Sequence, residues 1–111
     1  MKVTLDGTEL TAIGKTLLAQ QTDGESIGML RFMNDGSKIF RDELKRLMRL
    51  DDGTKSWFLS AIHGLAQSGQ TIHTTNIQGC TWAELDTPED YEICRELFGN
   101  SEMARKKLVA V

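Results

Sequence analysis

Residues 79–98 read GCTWAELDTPEDYEICRELF, and they constrain the chain more than any other stretch because a strand pattern runs directly into a helix start. Cys80, Trp82 and Glu84 alternate with Thr81, Ala83 and Leu85. The spacing predicts a strand over residues 80–85 with Trp82, Glu84 and the adjoining Asp86 on one face. Thr87 is a good N-cap, and Pro88 suits the first helical position, where no N–H is needed. Asp90 stands three residues after Thr87, a variant of the capping box that normally carries Glu or Gln. Glu84 and Asp86 are therefore expected at the C-terminal end of a strand, just ahead of a helix N-terminus. In open α/β sheets ligands bind at that place. The helix is predicted over Pro88–Phe98, burying Cys94, Leu97 and Phe98.

Upstream, residues 3–5 and 8–13 read as a β-hairpin around Asp6-Gly7, the type I′ signal, with Gly14 ending the second strand. Gly14-Lys15-Thr16 is not a P-loop, since Glu9 stands where the first glycine of that motif is required. Residues 16–24 are polar and read as a loop or short helix. Residues 27–33 (IGMLRFM) read as a buried strand with Glu25 at its entrance. An amphipathic helix is predicted over 37–50, where Phe40, Leu44, Leu47 and Met48 form one stripe and Asp42 and Arg46 can pair at i, i+4. A second helix is predicted over 54–68, with Phe58, Ile62, Leu65 and Ala66 on its apolar side and Gly69 closing it. Residues 70–77 carry the β-branched enrichment of a strand and are expected to pair with 80–85 through a turn at Gln78-Gly79. His63 and His73 each stand without a second metal ligand at helical or strand spacing. Ser101 can cap a last helix ending in Arg105-Lys106-Lys107.

The order of these elements is that of an α+β chain (or one derived from α/β), with a small mixed sheet and helices packed on it. At 111 residues a single domain, 1–111, is expected. The net charge of -3 argues against a nucleic-acid-binding surface. No apolar run approaches the roughly 20 residues of a spanning helix, so no membrane role is expected. There is no signal-peptide pattern. Cys80 and Cys94 make neither a disulfide framework nor a zinc spacing, which fits reduced thiols and a cytoplasmic location.

Trp82, Glu84, Leu85, Asp86, Thr87, Pro88, Glu89 and Asp90 resemble the C-terminal signature of the sugar and choline-phosphate nucleotidyltransferases, which have a GT-A-like fold. Ile13-Gly14-Lys15, followed by Gly24-Glu25-Ser26-Ile27-Gly28-Met29, is similar to the middle region of the same family. The order and spacing of the two segments agree over roughly residues 3–98. The resemblance implies a partial GT-A-like fold, with Lys15 and Glu25 contacting the phosphate and organic moiety of a substrate. It also implies Asp86 as a Mg²⁺ ligand, and Glu84, two residues back, as a group that orients a metal-bound water or a substrate hydroxyl. On spacing alone Lys15 and Glu25 read as solvated side chains, and Asp86 as the start of a helix.

The family's Gly-rich triphosphate loop, its lysine and its first metal-binding aspartate have no counterpart in these residues. The resemblance therefore implies the second half of an active site, with no catalytic residue assigned. Its expected partners are a nucleotide or phosphorylated small molecule, and either a second copy of the chain or a complementary N-terminal half. Two functions follow. One is a nucleotidyltransferase-related protein, incomplete and inactive alone. The other is a non-catalytic oligomerising or small-ligand-binding module on the same fold remnant.

Overall fold

The computed structural model describes residues 1–99. Among these residues the fold is α+β as expected, with three α-helices, but the three-stranded sheet is antiparallel throughout rather than mixed, because β2 and β3 each run against β1. The chain forms two compact units, Met1–Thr75 and Asn76–Val111. The helix expected after Ser101 lies outside the described residues.

In the first unit β1 (Lys2–Asp6) and β2 (Glu9–Gly14) form the expected hairpin, and β3 (Gly24–Glu25) pairs on the other side of β1, in the order β2-β1-β3. The turn is one residue later than the Asp-Gly signal suggests. Asp6 pairs with Glu9, so Gly7 and Thr8 make the loop. Gly7 has φ +60° and Thr8 does not have positive φ, the pattern of a II′ turn rather than I′. A bulge at Thr11 of β2, facing the Thr4–Leu5 step of β1, places Val3 opposite Ile13 but Leu5 opposite Leu10. Leu10 and Ile13 are three residues apart and strict alternation would put them on opposite faces. The extra residue on β2 returns both to one side. Val3, Leu10 and Ile13 then meet Leu59 and Ile62 in the core.

The helices are α1 (Gly36–Leu47) and α2 (Leu59–Gln67). α2 packs on β2, and α1 packs on α2. α2 starts later than predicted, after a 3-10 turn at Gly53–Lys55. Phe58 therefore lies just ahead of the helix and is exposed, while Leu59, Ala61 and Ile62 are buried and Leu65 and Ala66 half-buried. On α1 Arg46 pairs with Glu43 rather than Asp42, through Nε–Oε2 at 2.8 Å and Nη2–Oε1 at 2.6 Å. That two-pronged hydrogen bond from Arg46 holds the Glu43 carboxyl below its ordinary pKa.

Two expected strands do not form. Residues 27–33 are irregular: Gly28 takes φ +75°, its N–H donates to Ser26 Oγ at 3.1 Å, and Met29 is 82% exposed. Phe32 instead stacks on Phe40 of α1, with ring centroids 4.8 Å apart. Residues 80–85 are also irregular, because the partner they need is engaged elsewhere. The 72–74 segment pairs with the start of β2, with Leu10 N–H donating to Ile72 O at 2.8 Å and Thr74 N–H to Thr8 O at 2.7 Å.

That pairing belongs to a wider cover over the outer edge of β2. Gln67 Nε2 donates to Thr11 O at 2.9 Å, and Ile13 N–H donates to His63 Nδ1 at 3.3 Å. An exposed strand edge offers unpaired N–H and C=O groups to other chains. Here one α-helix and one short segment satisfy Thr8, Leu10, Thr11 and Ile13 in turn.

In the second unit Cys80 N–H closes a turn on Ile77 O at 2.9 Å, around Gln78 and Gly79 as predicted. The helix α3 (Pro88–Phe98) has the predicted bounds and cap. Its Cys94 and Phe98 are half-buried, but Leu97 is exposed, contrary to expectation, and no residue of α3 is fully buried. Cys80 and Cys94 are both free thiols. Among the described residues no helix is long and apolar enough to cross a membrane.

Candidate functional site

The four residues singled out in the sequence divide between the two units. Lys15 and Glu25 lie in the first, and Glu84 and Asp86 in the second.

In the first unit the sheet register places Lys15 and Glu25 at the same end of the sheet. Lys2 on β1 is the partner of both Gly14 on β2 and Glu25 on β3. The backbones of Gly14 and Glu25 are thus two strand spacings apart, about 10 Å. They do not share a face. Val3 points into the core, so Lys2 and its opposite number Glu25 point the other way, and Glu25 is exposed. Lys2 Nζ turns to the chain end beside it and donates to Leu17 O at 2.9 Å, which anchors the segment carrying Lys15.

Lys15 leaves the end of β2 on the α2 side. Its ammonium sits 3.4 Å from the centroid of the Trp57 ring, a cation–π contact. Beneath it is a solvent-open hollow of about 320 Å³, bounded by Met1, by Ile13 to Leu17, and by Trp57, Ser60 and His63. Trp57 stands just ahead of α2. Ser60 and His63 are three residues apart on that helix, so they present one surface. From sequence alone Trp57 and Ser60 carry no assigned role, and His63 is weighed only as a metal ligand. Trp57 lies outside any apolar stripe, and His63 has no partner in the linear sequence. Its partner is the backbone N–H of Ile13. The i, i+3 pairing of a hydroxyl with an imidazole beside a buried isoleucine was the one available signal.

In the second unit Glu84 and Asp86 belong to the irregular segment ahead of α3, not to a strand end as expected. The cap there is complete. Asp90 N–H donates to Thr87 Oγ1 at 3.2 Å, while Asp90 Oδ2 accepts from Thr87 N–H at 2.9 Å, Thr87 Oγ1 at 2.9 Å and Asp86 N–H at 3.2 Å. These bonds, the Thr87 hydroxyl first, hold the Asp90 carboxyl below its ordinary pKa. Asp90 is therefore a capping group. Asp86 and Glu84 are exposed, and among the described residues their carboxylates take no hydrogen bond or ion pair. Glu84 contributes only its carbonyl, 3.6 Å from Cys94 Sγ. Among the described residues no three His, Cys, Asp or Glu side chains gather as a metal cage. A Mg²⁺ site does not require one, because that ion keeps several waters and takes one or two carboxylates together with substrate phosphates. The free Asp86 carboxylate fits such a role.

Comparison with known proteins returns no match to a family model, to a curated protein or to a solved structure.

Proposed function

We propose that this chain is a nucleotidyltransferase-related protein that handles a phosphorylated small molecule. The reaction class is transfer of a nucleoside monophosphate from a triphosphate to a sugar-phosphate, phosphocholine or phosphonate acceptor. The observation that carries the reading is the placement of Lys15, an ammonium at the lip of a hollow with an aromatic wall. That combination suits a phosphate joined to an organic group, with the cation for the phosphate and the aromatic wall for the rest.

In such a reaction an acceptor oxygen attacks the α-phosphorus and pyrophosphate leaves in line, so the protein mainly positions groups and neutralises charge. Within the first unit Lys15 supplies a cation for a phosphate, whereas Glu25 faces the other side of the sheet and is left out of that site. Within the second unit, taken by itself, Asp86 offers a carboxylate to Mg²⁺ and Glu84 can orient a water or hydroxyl. Bound Mg²⁺ supplies charge neutralisation at phosphate oxygens. These residues include no Gly-rich triphosphate loop, so the chain by itself is proposed to be inactive and to act with a complementary half or a second copy.

A thermal-shift titration tests the reading. Mg²⁺ is added with a panel of nucleoside triphosphates, nucleotide-sugars and CDP-choline, to the wild type and to Asp86→Asn. A ligand at a hundred times its Kd stabilises by about 2.7 kcal/mol. The expected result is a Mg²⁺-dependent rise in Tm that Asp86→Asn loses. No rise with any ligand refutes the reading. Pyrophosphate release by the pure chain, abolished in Asp86→Asn, refutes its inactivity.

The second reading, a non-catalytic oligomerising module, is favoured by exposed apolar side chains: Met29, Phe32 and Met33 in the first unit, and Trp82 and Leu85 in the second. Light scattering decides it, since a monomeric mass at high micromolar concentration removes self-association.

A further inference from the structure

We propose that the hollow beside Lys15 is a phosphomonoester site in which the His63 imidazole and the Ser60 hydroxyl of α2 bind the phosphate together with Lys15. This rests on the reading of Lys15 given above, and adds two binding residues and a ligand class to it.

The argument starts from the tautomer of His63. Its Nδ1 accepts the Ile13 N–H at 3.3 Å, so a neutral imidazole must carry its single proton on Nε2. The acceptor nitrogen is occupied by the β2 edge, and what His63 has left to offer is a donor. Ser60, three residues earlier on the same helix surface, adds a hydroxyl, and Lys15 adds an ammonium. None of the residues bounding the hollow carries a carboxylate. A lining of donors and a cation without an acid selects an anion, and charge-assisted hydrogen bonds from such donors are the strong kind. Lys15, Ser60, His63 and the Thr16 hydroxyl give the lining at least three donors, enough for the three terminal oxygens of a phosphomonoester, whereas a carboxylate presents two. The volume of about 320 Å³ is larger than a bare phosphate, and Ile13, Leu17 and Trp57 make the remaining wall apolar. The ligand is therefore a phosphate with a small organic group lying along Trp57. Lys15 needs no rearrangement of the backbone to serve it, because its side chain already reaches over the hollow to the Trp57 ring.

The test is an NMR titration of the isotope-labelled full chain, read at the His63 imidazole and the Trp57 indole. The probes are inorganic phosphate, glycerol phosphate and phosphocholine, with acetate and chloride at matched ionic strength. Phosphate and both esters are expected to give saturable shifts at the two rings, the esters binding more tightly, and acetate and chloride to give none. Ser60→Ala and Lys15→Gln should each weaken ester binding at least about tenfold, as loss of a hydrogen bond to a charged group does. His63→Gln keeps an acceptor for Ile13 and a donor for the ligand and should retain binding, whereas His63→Leu should lose it. Ser60→Ala leaves the His63–Ile13 bond in place, so it decides the matter even where His63→Leu does not fold. Equal responses to acetate or chloride, or no saturable shift, overturn the proposal. Undiminished affinity in Ser60→Ala with loss in Lys15→Gln overturns it while leaving the Lys15 reading standing. Loss in Ser60→Ala with full affinity in Lys15→Gln overturns both.

Discussion

Two glycines in the first unit should respond to alanine with opposite signs. Gly53 is buried, and a Cβ there would fall against the Leu47 carbonyl oxygen, with Met48 Cα at 2.8 Å and its carbonyl carbon at 2.9 Å. All of these are backbone atoms of the chain leaving α1, and they cannot rotate away. Restricting the unfolded chain by Gly→Ala contributes about 0.4–1 kcal/mol of stability where the native geometry accepts it. Overpacking costs about 1–3 kcal/mol where it does not. The net expectation for Gly53→Ala is a loss of about 1–2 kcal/mol, which lowers the Tm of a unit this size by roughly 5–15 °C. Gly64, inside α2, also has a close neighbour, but it is Glu43 Oε1, the far end of a flexible side chain. That carboxylate can swing aside, although its side chain is only 13% exposed and loosening its pair with Arg46 offsets part of the gain. Alanine is better than glycine in a helix interior by about 1 kcal/mol, so Gly64→Ala should gain about 0.5 kcal/mol. Urea unfolding of the full chain, followed at Trp57, measures both. If Gly53→Ala is as stable as the wild type, or if both variants move in the same direction, the reasoning from backbone against side-chain neighbours is wrong.

Ile62→Ala removes a core side chain that is 4% exposed and should cost about 2–4 kcal/mol by denaturant unfolding. Thr87→Ala deletes the α3 cap and should destabilise that helix by about 1 kcal/mol, seen as faster amide exchange in its first turn. Glu43 and Asp90 both have lowered pKa values in the fold. Their contribution to stability is thus present above the ordinary carboxylate pKa of about 4 and is lost as pH falls through their lowered values. The contributions of these two carboxylates should be complete above about pH 5 and weaken below about pH 4, with Glu43→Gln reducing that fall.

Local signals were legible where the interaction they describe is local. Thr87, Pro88 and Asp90 specify the start of α3 through atoms three residues apart, and its bounds came out as read. The β1–β2 hairpin was legible for the same reason, although its turn moved by one residue because Asp6 pairs with Glu9. The two apolar or alternating stretches at 27–33 and 80–85 were misread, because a strand needs a partner as well as a pattern. The natural partner for 80–85 lies instead against Thr8 and Leu10. Candidate site residues followed the same division. Lys15 and Asp86 stood out only through the motif resemblance, since on spacing alone they read as a solvated lysine and a helix start, whereas Trp57, Ser60 and His63 acquire meaning only beside Lys15 and Ile13.

The sequence by itself determined the α+β class, the hairpin, the three helices and the capped start of α3. Each of these depends on side-chain periodicity or on hydrogen bonds that close within a few residues. The tertiary structure alone decided which segment covers the β2 edge, which residue of the α2 stripe is buried, and which nitrogen of His63 is left to donate. Those outcomes depend on competition between distant segments for the same backbone groups: the Ile13 N–H is satisfied by a residue fifty positions away.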